Sequence, residues 1–373
     1  MLRKDDLYWI WFSGIDGIGA KTQNILLHEF KNAKNIWYAE EDAIKEYLTR
    51  IKYGKKDIIN RIYDKKYKDK AKYDYEKIEK TGIRIINIYD KDYPKDLLHY
   101  DDSPPSLYIK GVLSNQDIKI AVVGTRNCTD YGRKAAQIIS EFLAGKGITV
   151  VSGLAEGIDT YAHKAALKIK GNTVAVLGAG HNNIYPLSNK RLFYEIGETG
   201  AILSEYLPDM KPLRGNFPAR NRIISGISEA VIIVESKRKG GALITAEFAA
   251  NQGKTVFAVP GNVTSLKSEG TNMLIKDGAV ILTNPEDILE ELGMVSCAPA
   301  ENFTEDSAEA KKDFAGCDED ELKIIEMLSY KQMHLDELLS GMNLDISVLS
   351  LKLMKMEMKH IIKQDTHGKY LLD

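Results

Sequence analysis

Between residues 118 and 282 the sequence alternates between short apolar runs and stretches with helical periodicity. The runs fall at 118–123, 148–152, 173–177, 200–203, 230–235, 255–259 and 279–282. Helical patterns between them cover 131–146, 158–170, 188–198, 219–228, 241–252 and 269–277. In the run 118–123, five of six residues are apolar. An apolar run without alternation suits a strand buried on both faces, as in a parallel sheet. Strands and helices in strict alternation predict an open, mostly parallel α/β sheet with helices on both faces. Ligands of such sheets sit outside the carboxyl ends of the strands.

The residues at those ends are therefore the first candidates. Gly124-Thr125-Arg126 ends the first run. Gly153 to Asp159 follows the second, Gly178-Ala-Gly-His181 with Tyr185-Pro186 and Asn189 the third, and Glu235 with Lys239 to Thr245 the fifth. A strand, a glycine turn and a helix start present free N–H groups and positive dipole to an anion. Arg126 would add a guanidinium fork suited to phosphate, or it is a solvated arginine on an ordinary turn. Repetition of the glycine turn makes an extended anion groove the economical reading, with Gly178, Asn189, Gly241 and Thr245 among its contacts. The insert Phe217-Pro-Ala-Arg220-Asn221-Arg222 adds more. Arg220 and Arg222 point about 200° apart on a helix, so both serve phosphates only if the helix end sits in the groove; otherwise one of them pairs with an acid. Arg220, Asn221 and Arg222 all count among the candidate phosphate contacts. Phe217 either stacks on a base or fills the core.

Other chemistries fit less well. Gly178-Ala-Gly180 lacks the third glycine of a dinucleotide fingerprint, and no acid closes the next strand, Glu205 being a weak candidate. There is no GxxxxGK[ST], no G-x-S-x-G elbow, and no general base beside a nucleophile. Asp159 and His163 have metal-like spacing, but with no third ligand they read as a capping acid and a packed ring. The three cysteines, Cys128, Cys297 and Cys317, form no CxxC pair and support neither a disulfide framework nor a zinc site. The net charge of −2 confines any nucleic-acid site to a local patch. The N-terminus does not read as a signal peptide and no run approaches a membrane span, so a cytoplasmic protein is expected.

The flanks differ in texture. Residues 1–104 are read as a helical domain. In it Gly14 to Gly19 (GIDGIG) resembles the turn of a helix-hairpin-helix, either a phosphate contact or a packing unit. The Lys- and Tyr-rich stretch 50–80 holds almost as many acids and reads as a solvated helical face. Asp101 to Ser106 marks entry to the sheet domain, 105–292. Residues 293–317 read as a linker, and 318–373 as three helices and a β-ribbon, a winged-helix-like domain. Its third helix carries Lys352, Lys355 and Lys359 on one face. The acids 318–321 repel a duplex or fold back on these lysines.

The quoted stretches resemble the DNA-processing protein A (DprA/Smf) family. They are VVGTR (122–126), SGLAEGIDTYAHKAAL (152–167), TVAVLGAGHNNIYPLSNKRL (173–192), SEYLP (204–208), the long run 216–262 and SEGTNMLIKDGA (268–279). The resemblance implies a Rossmann-like domain that binds single-stranded DNA, protects it, and helps load RecA recombinase during natural transformation. It implies no known catalysis and no cofactor, and it implies a homodimer. Strand 279–282 and helix 285–292, with an apolar stripe of Ile288, Leu289 and Leu292, are the expected contact. By motif, Gly124, Thr125, Arg126, Gly153, Arg220 and Asn221 fall in the family's phosphate groove. Lys239-Gly240-Gly241 departs from the serine-glycine pair of many members. The loop KGGALITAE (239–247) is also similar to that of Rossmann-like nucleotide phosphoribohydrolases, with Glu247 where their acid stands. A third possibility is a regulator that binds duplex DNA through residues 318–373 alone.

Overall fold

The computed structural model describes residues 2–53, 57–115, 117–294, 318–330, 333–342, 344–359, 361–364 and 369–372. Most of the expected linker, Cys297, Cys317 and the turn of the β-ribbon lie outside them. The chain divides into two units, Met1–Ser296 and Cys297–Asp373.

The first unit is built on a nine-stranded sheet. Its strands are β1 (Arg84–Asn87), β2 (Ser106–Gly111), β3 (Lys119–Val123), β4 (Thr149–Ser152), β5 (Thr173–Val176), β6 (Ala201–Ser204), β7 (Ala230–Ile233), β8 (Thr255–Ala258) and β9 (Val280–Ile281). The spatial order is β1-β2-β6-β5-β4-β3-β7-β8-β9. From β6 to β9 every pairing is parallel, whereas β1–β2 and β2–β6 are antiparallel. Strand β1 lies inside the stretch that the sequence assigned to the helical region, and it extends the sheet by an edge.

Alternate residues of each strand serve opposite layers. Ala121 and Val123 share a core with Val151, Val176, Ile223, Ile224 and Ala246. Ile120 and Val122 share another with Leu143, Ile158, Ala162 and Ile232. Both faces are thus covered, which is why the central strands read as unbroken apolar runs.

The helices before the sheet are α1 (Asp6–Ser13), α2 (Ala20–Phe30), α3 (Ala33–Tyr38), α4 (Glu41–Arg50), α5 (Asp57–Tyr63) and α6 (Lys65–Glu79). Their core contains Tyr108 and Leu207 from the sheet region, so helices and sheet edge share one hydrophobic cluster. The turn between α1 and α2 buries Ile15 and Ile18. Gly17 there has φ +75°, and Arg61 donates to the Asp16 carbonyl above it. The turn thus serves as a packing unit of the helical core. In α6, Tyr67, Ala71, Asp74 and Ile78 are buried at intervals of about one turn, while Lys66, Lys70 and Lys77 are exposed. That is the solvated face expected of the Lys-rich stretch.

The remaining helices of this unit are α7 (Asp130–Gly145), α8 (Ile158–Lys168), α9 (Lys190–Thr199), α10 (Asn216–Gly226), α11 (Gly241–Asn251), α12 (Glu269–Lys276) and α13 (Glu286–Glu291). The proposed stripe on the last helix needs correction. Ile288 is fully buried in the unit's own core, and Leu289 and Leu292 pack partly against it. Among the described residues at this end, Ile281 on the edge strand β9 is a large apolar side chain that faces outward, 48% exposed.

The second unit contains α14 (Glu319–Tyr330), α15 (Leu335–Gly341), α16 (Ile346–Met358) and an antiparallel sheet of β10 (Met333–His334), β11 (Ile362–Gln364) and β12 (Lys369–Leu372), ordered β10-β12-β11. Ile324, Leu338, Leu349, Leu353, Met356 and Ile362 form its core. Lys352 donates to Asp318 at 2.6 Å and lies 3.1 Å from Asp320, so the acids do fold back on the first lysine of the third helix. Lys355 and Lys359 stay exposed. Among the described residues no helix is long and apolar enough to cross a membrane.

Candidate nucleic-acid interface

The chain leaves β3 and builds outward through β4, β5 and β6. It then crosses back to place β7, β8 and β9 on the other side of β3. The order reverses between β3 and β7, and a crevice opens at that switch point. It holds a cavity of about 810 Å³ lined by the turn after β3, the N-terminal half of α10 and the start of α11.

Sterics fix the turn after β3. A Cβ on Gly124 would lie 2.5 Å from Ile158, and one on Gly157 would lie 2.3 Å from the Thr125 carbonyl. Gly157 also has φ +76°, a conformation that side chains disfavour. The Thr125 N–H donates to the Glu235 carbonyl at 2.8 Å, tying the turn to the end of β7. Arg126 projects from this turn, exposed, with its guanidinium 5.4 Å from the centre of the Phe217 ring. Phe217 in turn contacts Tyr185 at 5.4 Å between ring centres. Gly178 seats the Phe217 ring, since a Cβ there would lie 2.7 Å from it. Gly178 is thus a support behind the crevice and does not line the cavity.

Helix α10 carries Phe217, Arg220 and Asn221 into the crevice. Arg220 is 4% exposed. Its Nη1 donates to the carbonyls of Gly153, at 2.9 Å, and Val176, and its Nε to Asn221 Oδ1 at 3.1 Å. Among the described residues Nη2 has no protein acceptor, and Arg220 lines the cavity. Gly153 makes room for this, because a Cβ would sit 2.5 Å from Nη2 and 2.8 Å from Asp159 Oδ2. Burial pushes the guanidinium down to about 10 while Asp159 opposes the shift, so it stays charged at neutral pH. Burial raises the Asp159 carboxyl, with Arg220 opposing. That carboxylate accepts the N–H groups of Gly153 at 3.0 Å and Ala155 at 3.4 Å, bracing the loop after β4.

Arg222 is corrected. It points away from Arg220 and forms a two-pronged ion pair with Glu205, at 2.9 and 2.6 Å, while Nε donates to the Asp102 carbonyl. Asn189 is corrected too. It is buried, and its amide donates to Leu154 O, Ala155 O and Thr160 Oγ1 at 2.8–3.2 Å. Both are scaffold residues beside the crevice. His163 is also internal. Its Nδ1 lies 2.7 Å from Thr173 Oγ1, and burial lowers its pKa to about 3. Among the described residues no three His, Cys, Asp or Glu side chains gather to hold a metal.

The far wall is the start of α11. Gly240 occupies its N-cap with no side-chain cap, and Gly241, Ala242 and the buried Thr245 line the cavity. Helix N-termini of this kind favour anions. Asn221 reaches across, donating to the Gly241 carbonyl at 3.5 Å. Lys237 and Lys239 flank this end and Arg214 stands before α10, all exposed. Sequence reasoning missed Arg214 and Lys237 and left Lys239 in doubt. The signal available was the run Lys237-Arg238-Lys239 directly after a strand end and directly before a glycine-started helix. The lining therefore holds five cations, Arg126, Arg214, Arg220, Lys237 and Lys239, against one carboxylate, Asp159. Glu247 is exposed and outside this lining.

A doubly wound sheet with a cation-rich crevice at its switch point defines a Rossmann-type protein whose site suits phosphate groups. The chain belongs to the family described as DNA recombination-mediator protein A, whose pattern it matches over residues 84–293. It is 36% identical over 300 residues to Protein Smf of Synechocystis, covering 79% of this chain and 74% of that protein. It is 45% identical over 207 residues to the DNA processing protein DprA of Streptococcus pneumoniae, covering 55% and 73%. The crystal structure of DNA processing protein A from S. pneumoniae is similar with a TM-score of 0.66 and 34% identity, covering 78% of this chain and 99% of that one. A structure describing the single-stranded DNA binding mode of DNA processing protein A from Helicobacter pylori is similar with a TM-score of 0.52 and 31% identity, covering 56% and 96%.

Proposed function

We propose that this protein binds single-stranded DNA in the switch-point crevice and acts as a recombination mediator, protecting incoming strands and helping to load RecA during natural transformation. The observation that carries the reading is Arg220, a buried charged guanidinium held beside Gly153 that lines a cavity rimmed by exposed cations. The aromatic pair Phe217–Tyr185 at the same mouth offers a face to an unpaired base. The DNA-binding mode described for the H. pylori relative supports the same ligand class. The order of elements in the second unit supports a winged-helix reading, with an auxiliary or protein-contact role. The exposed Ile281 on β9, the edge strand among the described residues, supports a homodimer across that edge; Ile281→Asp then gives a folded monomer by light scattering. A cytoplasmic location accords with RecA as partner.

The test is a titration of the full chain against single- and double-stranded oligonucleotides across salt concentrations. Single strands should bind with little sequence preference, with log affinity falling by about 0.7 per phosphate neutralised for each decade of salt. Preference for duplex would refute the assignment. Incubation with nucleoside monophosphates addresses the phosphoribohydrolase alternative, for which ribose 5-phosphate is the diagnostic product. The position of Glu247 outside the lining argues against that alternative.

A further inference from the structure

In doubly wound sheets the helix after the first strand offers its N-terminus to ligand phosphate. Here that helix is α7, and its N-terminus already holds an anion. Glu235, at the end of β7, is 2% exposed. Its Oε2 accepts the Thr129 N–H at 2.8 Å and its Oε1 accepts the Thr129 hydroxyl at 2.5 Å, Thr129 being the N-cap of α7. A Cβ on Gly132, in the first turn of α7, would lie 2.3 Å from Oε2, so the helix start is shaped around this carboxylate. The Glu235 carbonyl accepts the Thr125 N–H at 2.8 Å. One residue thus grips both ends of the loop 125–129 that displays Arg126.

We infer that Glu235 is a specificity-determining residue. Its carboxylate stands where a mononucleotide or dinucleotide phosphate would bind on α7, and it thereby directs ligand phosphates to the α10 and α11 side of the crevice. The surroundings would otherwise attract an anion. Arg133 and Lys267 are close enough to act on the neighbouring Cys128 thiol, which burial and then Glu235 push up against them. Removal of the carboxylate frees the Thr129 N–H at the start of α7, where Thr129 still caps the Gly132 N–H at 3.1 Å and Arg133 pairs with the exposed Asp130 at 3.0 Å. The positive end of the helix dipole then favours an anion in the vacated place. The inference rests on the proposed reading of the crevice as a phosphate-binding groove.

The test uses the full chain with Glu235→Ala and Glu235→Gln, and inorganic pyrophosphate and an oligo(dT) single strand as probes. Calorimetry should show that Glu235→Ala gains one pyrophosphate site beyond whatever the unmodified chain binds, and at least about tenfold in affinity at that position. Its oligo(dT) affinity should fall about five- to tenfold because the Arg126 loop loses its anchor. Glu235→Gln keeps the volume and an acceptor for Thr129, so it should gain no site. If Glu235→Ala does not fold, Glu235→Ser poses the same question. A folded Ala or Ser variant with unchanged pyrophosphate stoichiometry overturns the inference, as does an equal gain in the Gln variant. Absence of oligo(dT) binding by the unmodified chain would strike the functional reading instead and leave the pyrophosphate count interpretable.

Discussion

Replacing Arg126 with alanine removes the one exposed guanidinium that projects from the turn after β3. Its contact with Phe217, 5.4 Å from the ring centre, exists without ligand and so largely cancels between free and bound states. The contact instead reduces the ordering needed on binding. What binding adds is a fork to phosphate. Hydrogen bonds to charged groups contribute about 1.5–3 kcal/mol, and exposed ion pairs about 0.2–1 kcal/mol. Arg126 is exposed but stacked at a cavity mouth, so a loss of about 1–2 kcal/mol is expected, roughly five- to thirtyfold in affinity. One lost phosphate contact should also flatten the salt dependence by about 0.7 in log–log slope. The deficit must then shrink about fivefold for each tenfold rise in salt. Fluorescence anisotropy of labelled oligo(dT) at four or more salt concentrations measures both quantities. A deficit that stays constant with salt, or no deficit at all, would falsify the placement of Arg126 on a phosphate.

Three further expectations follow from the neighbouring residues. Arg222→Met leaves the Glu205 carboxylate, whose side chain is 13% exposed, without its ion-pair partner, so chemical denaturation should report a stability loss of about 3 kcal/mol, the lower end for a buried pair, with oligo(dT) affinity per folded molecule unchanged. His163 and His181 are held neutral by burial, with pKa values lowered to about 3 and about 4. Both lie below the unfolded value, so their contribution is fully present above about pH 6.5 and is lost as pH falls toward 4, because the unfolded chain takes up protons that the fold refuses. Unfolding free energies should drop over that window by up to ~1.4 kcal/mol per pH unit for each ring, and His163→Asn should flatten the slope. Deleting residues 297–373 should leave single-strand affinity within about tenfold, ~1.4 kcal/mol; loss of all binding by a folded truncation would move the main DNA contact to the second unit.

The sheet was legible because burial on two faces leaves an unambiguous apolar text, as in Lys119–Val123, where all five residues are buried. Strands β1 and β10 were not read. Arg84–Asn87 has four residues, and Met333–His334 only two, too few for a periodicity. The crevice was legible at its glycines, since Gly124, Gly153 and Gly178 each leave room for a specific neighbour. The two arginines of α10 were readable as opposed but not as assigned. The choice depends on Glu205, 17 residues away in sequence, reaching Arg222 across the fold. Asn189 failed for a similar reason. Its position after a strand end suggested a ligand contact, whereas its amide closes onto the carbonyls of Leu154 and Ala155.

The cations of the crevice fall into two kinds, and the difference bears on what the site can discriminate. Arg220 is fixed by main-chain carbonyls before any ligand arrives, so a phosphate meeting Nη2 orders nothing further. Arg214, Lys237 and Lys239 stand in solvent on loops and act mainly as a screened field, while Arg126, exposed but stacked on Phe217, lies between the two kinds. The net charge of −2 makes that field local to the mouth. Reading a base edge takes paired donors and acceptors in fixed register. The lining offers few. Asn221 already uses both ends of its amide, on Arg220 and on the Gly241 carbonyl, and Asp159 is committed to Gly153 and Ala155. What remains free is mostly donor groups and aromatic faces, which recognise phosphates and any exposed base alike. Sequence-independent binding of an unpaired strand is therefore the outcome that the hydrogen-bond inventory of this crevice favours.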